Sequence, residues 1–348
     1  MMCGIEDLIE RYKHMRSMGQ LKRVNKGKYA FVGMGGHSTS NLYPVLDYLR
    51  VPLKYICCKS HDKALLIGEA YPGVQATTSL GDILGDDEVK GVLVAVSPKA
   101  HFAIASEVIG SGKHLFVEKP PCSNGRELER LIDLRKQAGE PAVVVGLQKR
   151  CAPAMRVLKK ELQKSSGGEM TYNLRYLTGA YPEGDALLDL YIHPLDCVSF
   201  LFGKAEIKCV ERGGGHTLML VLRHENATGV LELSTGYSWS GAKESLTVNT
   251  IKGIYELEQM EHLSFVRKPS VLAGVPIEKI CRRNTVTTEL FGRNNFLPTT
   301  ANNQIYTQGY FDTIKGFVDA VEGRPARLVQ TLEALTDTYC LLDGLRRQ

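Results

Sequence analysis

The sequence predicts an α/β chain: an N-terminal doubly wound parallel sheet, then an α+β region built on a largely antiparallel, open sheet. Three observations predict it. Between residues 29 and 147, short apolar runs alternate with helical segments over short connections, as in a parallel sheet covered on both faces. After about residue 150 the pattern changes to alternating segments separated by Gly and Asn turns, without regular intervening helices. The apolar runs of the first half also end in Gly, Ser-Pro or Glu-Lys-Pro, at the carboxyl ends where open parallel sheets bind ligands.

The 348 residues suffice for two domains, and 43% hydrophobic and 23% charged residues are ordinary for a globular protein. The net charge of +5 is small and no long basic run occurs, which argues against nucleic-acid binding. No apolar run has the length of a membrane helix, and the charged N-terminus lacks a signal core. Nine scattered cysteines without C-x-x-C argue against disulfides and zinc, so a cytoplasmic location and no metal are expected.

In chain order, Ile5, Leu8, Ile9 and Tyr12 recur at helical spacing over residues 5–18, a helix expected to pack as an appendage. Tyr29–Val32 reads as a buried strand. Gly33-x-Gly35-x-x-Ser38 follows and is similar to a dinucleotide fingerprint with Ser in the third place: a tight turn, a close approach to pyrophosphate, and a small residue between helix and strand. His37, Ser38 and Thr39 add donors at a helix start, and Pro44 belongs in a first helical turn. The second strand, Leu53–Cys57, lacks the acid that holds ribose hydroxyls in NAD sites. Lys59 and Ser60 stand there instead and favour the 2′-phosphate of NADP, while Asp62 taking the acid's place would restore NAD.

Lys90–Val96 is the next buried strand and ends in Ser97-Pro98-Lys99-Ala100-His101. Leu115–Val117 is another, and Glu118-Lys119 at its end is placed to meet a ligand. Ser123 is the expected N-cap of a helix over 123–138, and a strand over 142–147 closes the sheet. A helix over 153–164 leads into segments that read as strands up to about residue 269, and helices over 310–321 and 331–346 end the chain. Between the first two strands of this second half, Asp189, His193 and Asp196 share one helical face, and Pro194 places the helix start near Asp189–Tyr191. The connections at 177–185, 237–243 and 291–310 are expected to line a pocket, with Tyr181, Trp239, Arg293, Asn294, Asn295, Asn302, Asn303 and Tyr306.

Taken together, Gly33-x-Gly35-x-x-Ser38, Ser97-Pro98 to His101, Glu118-Lys119-Pro120, Gly146-Leu147-Gln148-Lys149-Arg150 to Pro153 and Asp189-x-x-x-His193-x-x-Asp196 resemble the Gfo/Idh/MocA family of oxidoreductases. Ser38, Gln148 and a thin glycine content before the Asp189 helix depart from the family pattern. The resemblance implies a helical appendage (1–27), an NAD(P)-binding Rossmann domain (28–149) and a substrate-binding and dimerisation domain (150–348), with the last helix packing back on the first domain. It implies NADP or NAD as cofactor, held by Gly33, Gly35, Gly36, His37, Ser38, Lys59, Ser60, Ser97, Pro98, His101, Glu118 and Lys119. It implies a carbohydrate-like small-molecule substrate and a homodimer or homotetramer formed through the second sheet. Lys119, His193 and Asp189 become the catalytic residues: His193 as general base, Lys119 on the reacting oxygen, Asp189 orienting His193 or binding a hydroxyl. Arg150, Asp189, His193 and Asp196 become the substrate-binding set, with a structural salt bridge the alternative for Arg150 and a supporting place behind the site the alternative for Asp196. A non-catalytic NAD(P)-binding sensor and an NAD-recycling glycoside hydrolase are the alternatives.

Overall fold

The computed structural model describes residues 3–22, 24–165, 168–181, 184–281, 286–294, 296 and 303–348. Helix α1 covers Cys3–Lys22. The expectation that it packs on the body is not met: Ile5, Leu8, Ile9 and Tyr12 are exposed. Charged residues crowd both flanks of that stripe, and contacts to the body come just after the helix. There the Lys26 and Gly27 N–H groups donate to the Glu322 carboxylate, and Asn25 Nδ2 donates to the Leu49 carbonyl.

The first sheet comprises β1 (Lys28–Val32), β2 (Leu53–Cys57), β3 (Gln75–Thr77), β4 (Val89–Val94), β5 (His114–Val117) and β6 (Val143–Val145). All pairs are parallel and the order is β3-β2-β1-β4-β5-β6, so the strand order reverses between β1 and β4. Side chains alternate between two cores, as strand geometry requires. Ala30 and Val32 of β1 join Val92 and Val94 on the face covered by α5 (Pro98–Gly110) and α6 (Gly125–Gln137). Tyr29 and Phe31 join Leu93 and Phe116 on the other face, under α2 (Tyr43–Tyr48). The short helices α3 (His61–Ala70) and α4 (Leu80–Leu84) complete this half. Asn124, not Ser123, caps α6: its side chain accepts from Glu127 N–H, while Glu127 reaches back to Ser123 N–H. The cap is a reciprocal box shifted by one residue.

The second sheet comprises β7 (Met170–Leu177), β8 (Ala205–Gly213), β9 (Thr217–His224), β10 (Ala227–Ser234), β11 (Lys243–Thr250), β12 (Gly253–Glu258), β13 (His262–Arg267) and β16 (Thr287–Gly292). A small hairpin, β14 (Val271–Leu272) with β15 (Val275–Pro276), stands apart. The order is β16-β13-β12-β11-β7-β10-β9-β8, antiparallel except for β7 beside β10. Edge strand β16 was not anticipated, because TTELFG is largely exposed and shows no clean alternation. One face packs against α7 (Pro153–Gln163) and α8 (Ile192–Phe202) through Leu158, Leu195, Val198, Leu220 and Leu231. The opposite face leaves Met219, Val230 and Ile254 exposed.

The chain closes with α9 (Gln304–Thr307), α10 (Tyr310–Val321) and α11 (Thr336–Arg346). Helix α10 returns to the first sheet, burying Ile314, Phe317 and Val318 against Tyr29 and Phe116. Helix α11 packs on α6, where Tyr339 Oη donates to the Cys122 carbonyl and Gly125 N–H donates to Asp343.

Candidate active site

A cleft of about 1120 Å³ opens at the carboxyl ends of the first sheet, where the strand order reverses. Its floor begins at Gly33, just after β1. Gly33 has φ +100°, and a Cβ there would lie 2.2 Å from the Ala95 carbonyl oxygen at the end of β4. Only glycine allows β1 and β4 to part at that point without strain. Gly35 and Gly36 present bare main chain to the cleft. Ser38 turns inward: its hydroxyl accepts from Gly35 N–H and donates to the Gly35 carbonyl, which braces the loop.

At the far end, Cys57, Cys58, Lys59 and Ser60 line the cleft after β2. Ser60 caps α3 by accepting from Lys63 N–H. Lys63 also lines the cleft and donates to the Met34 carbonyl. Sequence reasoning missed Lys63. Its signal was position, three residues past a Ser that caps a helix. Asp62, the alternative partner for ribose hydroxyls, is exposed in the first turn of α3 and does not line the cleft.

Around the cleft, buried His101 Nε2 and His193 Nδ1 have no hydrogen-bond partner among the described residues, and buried Glu118 Oε1 makes no hydrogen bond and faces only the His37 ring. Unpaired buried groups are costly, so such a set marks where a polar ligand completes the structure. The glycine cradle, the small Ser38 and these orphaned groups fit a dinucleotide. Ser97, Pro98 and His101 come from the start of α5. His101 Nδ1 sits 2.7 Å from the Pro120 carbonyl and therefore donates to it, leaving Nε2 as an acceptor; burial lowers the pKa of the ring. His37 Nε2 stands 3.4 Å from Glu118 Oε1 and its ring lies beside Tyr310.

The second half brings in Asp189, His193, Tyr176, Tyr181, Trp239 and Tyr310. A π-helical turn over Leu187–Tyr191 precedes α8, and Pro194 falls in the first turn of α8, where its missing N–H costs nothing. Lys119 Nζ donates to the Asp189 main-chain carbonyl at 2.5 Å. The Asp189 carboxylate accepts from Asp185 N–H at 3.0 Å. Asp189 thus meets Lys119 through its carbonyl, and the expected carboxylate bond orienting His193 is not formed. Burial lowers the pKa of Lys119 below the usual lysine range, against the pull of Glu118 and Asp189. Burial likewise pushes His193 well below its ordinary value, helped by the Lys119, Lys149 and His37 charges.

Arg150 and Asp196 do not reach the cleft, which corrects the expectation that they bind substrate. Arg150 Nε and Nη2 donate to the two Asp196 oxygens at 2.8 and 2.6 Å. The guanidinium also donates to the Val329 and Ala334 carbonyls, and Thr338 completes the Asp196 shell. Each charge is consumed by the other in a dry interior. Of the pocket residues expected from 291–310, Arg293 pairs with Glu261, Asn303 caps α9, Asn294 accepts from Phe296 N–H, and Tyr306 packs on Phe311. None of these four lines the cleft, and Asn295 and Asn302 lie outside the described residues. Tyr310 is what that segment contributes, and only the return of α10 to the first sheet reveals it.

Residues 27–147 match the family model for oxidoreductases with an NAD-binding Rossmann fold, GFO_IDH_MocA. YceM of Salmonella typhimurium, named as an oxidoreductase, is 28% identical over 256 residues, 70% of this chain and 80% of that protein. The inositol 2-dehydrogenase of Corynebacterium glutamicum is 26% identical over 147 residues, 40% of this chain and 43% of that protein. Among solved structures, a dehydrogenase from Chromobacterium violaceum superposes with TM-score 0.76 at 19% identity, covering 92% of this chain and 94% of that one. KijD10, a 3-ketoreductase from Actinomadura kijaniata solved with NADP, gives 0.71 at 16% identity, covering 93% and 97%. A nucleotide cradle at the β1–β4 reversal, a Glu-Lys-Pro end to β5 and a histidine from a second, mixed sheet are thus joined to a matching family model and a matching two-sheet fold: residues 27–147 match the NAD-binding Rossmann unit of the Gfo/Idh/MocA oxidoreductases, and the chain shares the fold of a solved member of that family over 92% of its length.

Proposed function

We propose that the protein moves a hydride to or from a hydroxyl- or carbonyl-bearing carbon of a sugar, polyol or related small molecule, with Lys119 and His193 at the reacting oxygen. The observation that carries this reading is their shared position: a lysine and a histidine, both with lowered pKa, line one cleft with the glycine cradle. A bound nicotinamide dinucleotide supplies the hydride acceptor or donor. His193, held neutral, takes the hydroxyl proton during oxidation and returns it during reduction. Lys119 donates to the reacting oxygen and offsets its developing negative charge. Its bond to the Asp189 carbonyl fixes the direction of the ammonium group. The inositol 2-dehydrogenase relative supports a carbohydrate-like substrate, and the 3-ketoreductase neighbour supports a hydroxyl or carbonyl carbon as the reacting centre.

NADP is the preferred cofactor in this reading. Lys59, Ser60 and Lys63 gather at the end of β2, and no carboxylate from that segment lines the cleft. Self-association would use the open face of the second sheet, where Met219, Val230 and Ile254 are exposed.

The test is a thermal-shift titration with NADP(H) and NAD(H) side by side, then an absorbance screen at the nicotinamide band against sugars and polyols. A ligand at about 100 times its dissociation constant raises stability by roughly 2.7 kcal/mol. A larger shift with NADP(H) and reduction of NADP by at least one polyol or sugar are expected. Cofactor binding without any hydride transfer would leave a sensor in place of an enzyme.

A further inference from the structure

Tyr181 and Trp239 are 52% and 51% exposed, although they are large aromatic side chains and Trp239 is the only tryptophan of the chain. They come from different connections, Tyr181 from the one between β7 and α8 and Trp239 from the one between β10 and β11. Their ring centroids lie 4.9 Å apart with planes tilted by 42°. Both line the cleft that holds Lys119 and His193.

The two connections are tied together. Gly179 and Gly236 form an antiparallel bridge, Tyr237 N–H donates to the Thr178 carbonyl, and Thr178 N–H donates to the Ser234 carbonyl. The indole lies directly on Gly179, where a Cβ would come 2.6 Å from Cδ1 and Nε1. Trp239 is therefore seated on backbone at one side while half its surface stays open. Burial of Tyr181, followed by the Asp189 charge, raises the pKa of its phenol.

We propose that Tyr181 and Trp239 form an aromatic shelf for a second pyranose ring, so that the substrate is a disaccharide or glycoside whose reacting ring sits at Lys119 and His193. This rests on the sugar-directed reading above. An aromatic face packs against the C–H face of a pyranose while the hydroxyls keep their water, and such a platform of aromatic and few polar groups suits a neutral ring. A nucleotide-linked sugar fits less well. Its diphosphate needs cations, and neither connection (178–191 and 235–242) contains a Lys or Arg.

Because Trp239 is the sole tryptophan, its fluorescence reports directly on the shelf. The protein saturated with NADP+ is titrated with glucose, galactose and myo-inositol, and with maltose, cellobiose, lactose and galactinol. At least one disaccharide or glycoside should quench the emission and half-saturate about tenfold lower than its own component rings. Tyr181→Ala, which keeps the reporter, should remove that preference with an unchanged unfolding midpoint. The shelf is overturned if no two-ring compound quenches or binds tighter than its components, or if Tyr181→Ala leaves the preference intact. Quenching without hydride transfer would keep the shelf and sink the enzyme reading. Turnover of single rings without two-ring preference would do the reverse.

Discussion

Lys119 Nζ and the main-chain oxygen of Asp189 are 2.5 Å apart, so the end of β5 is tied to the turn that begins α8. One hydrogen bond thus joins the sheet carrying the nucleotide cradle to the helix carrying His193. In the proposed reaction it holds the ammonium beside the reacting oxygen.

Lys119→Ala should therefore lower kcat by about 10²–10³, the usual cost of losing a donor to a developing oxyanion, with little change in NADP affinity. Steady-state rates and cofactor thermal shifts measure the two effects separately. A variant with normal turnover would remove Lys119 from the chemistry.

The lowered pKa of His193 sets a pH dependence. A base works in its unprotonated form, and burial keeps the ring unprotonated below the ordinary histidine value of about 6.5. The kcat/KM for oxidation should stay level as pH falls through 6.5 and decline only at more acidic values. A decline centred at or above 6.5 would contradict a buried, neutral His193.

Lys149 provides part of that depression. Its Nζ lies 2.5 Å from Glu244 Oε1 and 4.8 Å from the centre of the Tyr176 ring, in a buried pocket. Burial opposes its charge, but the Glu244 carboxylate prevails and holds the lysine protonated. Removing both charges with Lys149→Met and Glu244→Gln takes a cation away from His193 and should move the acidic limb of the pH profile upward. Lys149→Arg should restore it. A fixed limb accompanied by lost stability would make the pair a structural element alone.

Asp196→Ala strands the Arg150 guanidinium in a dry interior, which typically costs about 3–5 kcal/mol. Urea unfolding should show that loss, while the KM of the remaining folded enzyme changes little. A raised KM at unchanged stability would return Asp196 to the substrate.

The sequence made the cofactor side of the cleft readable for a physical reason. Parallel strands are buried on both faces and stand out as apolar runs, and the ligand-facing residues follow each run directly, as Gly33 follows Val32 and Glu118 follows Val117. The substrate side depends on which distant loops converge. Glu244 and Tyr310 carry no local signal, and their roles arise only when β11 and α10 pack in place. Arg150 and Asp196 were misplaced for the same reason. They are 46 residues apart, and two charges that meet only in the folded chain look available in the sequence.

The placement of α10 has a consequence for how the protein is made. Phe317 and Ile314 fill the face of the first sheet beside Tyr29 and Phe116, and Glu322 receives hydrogen bonds from Tyr29 and from the main chain of Lys26 and Gly27. The nucleotide-binding half is synthesised before α10, so one apolar wall of its sheet stays uncovered until residues 310–321 have emerged. A chain cut short before residue 310 would therefore leave Tyr29 and Phe116 without the side chains that cover them.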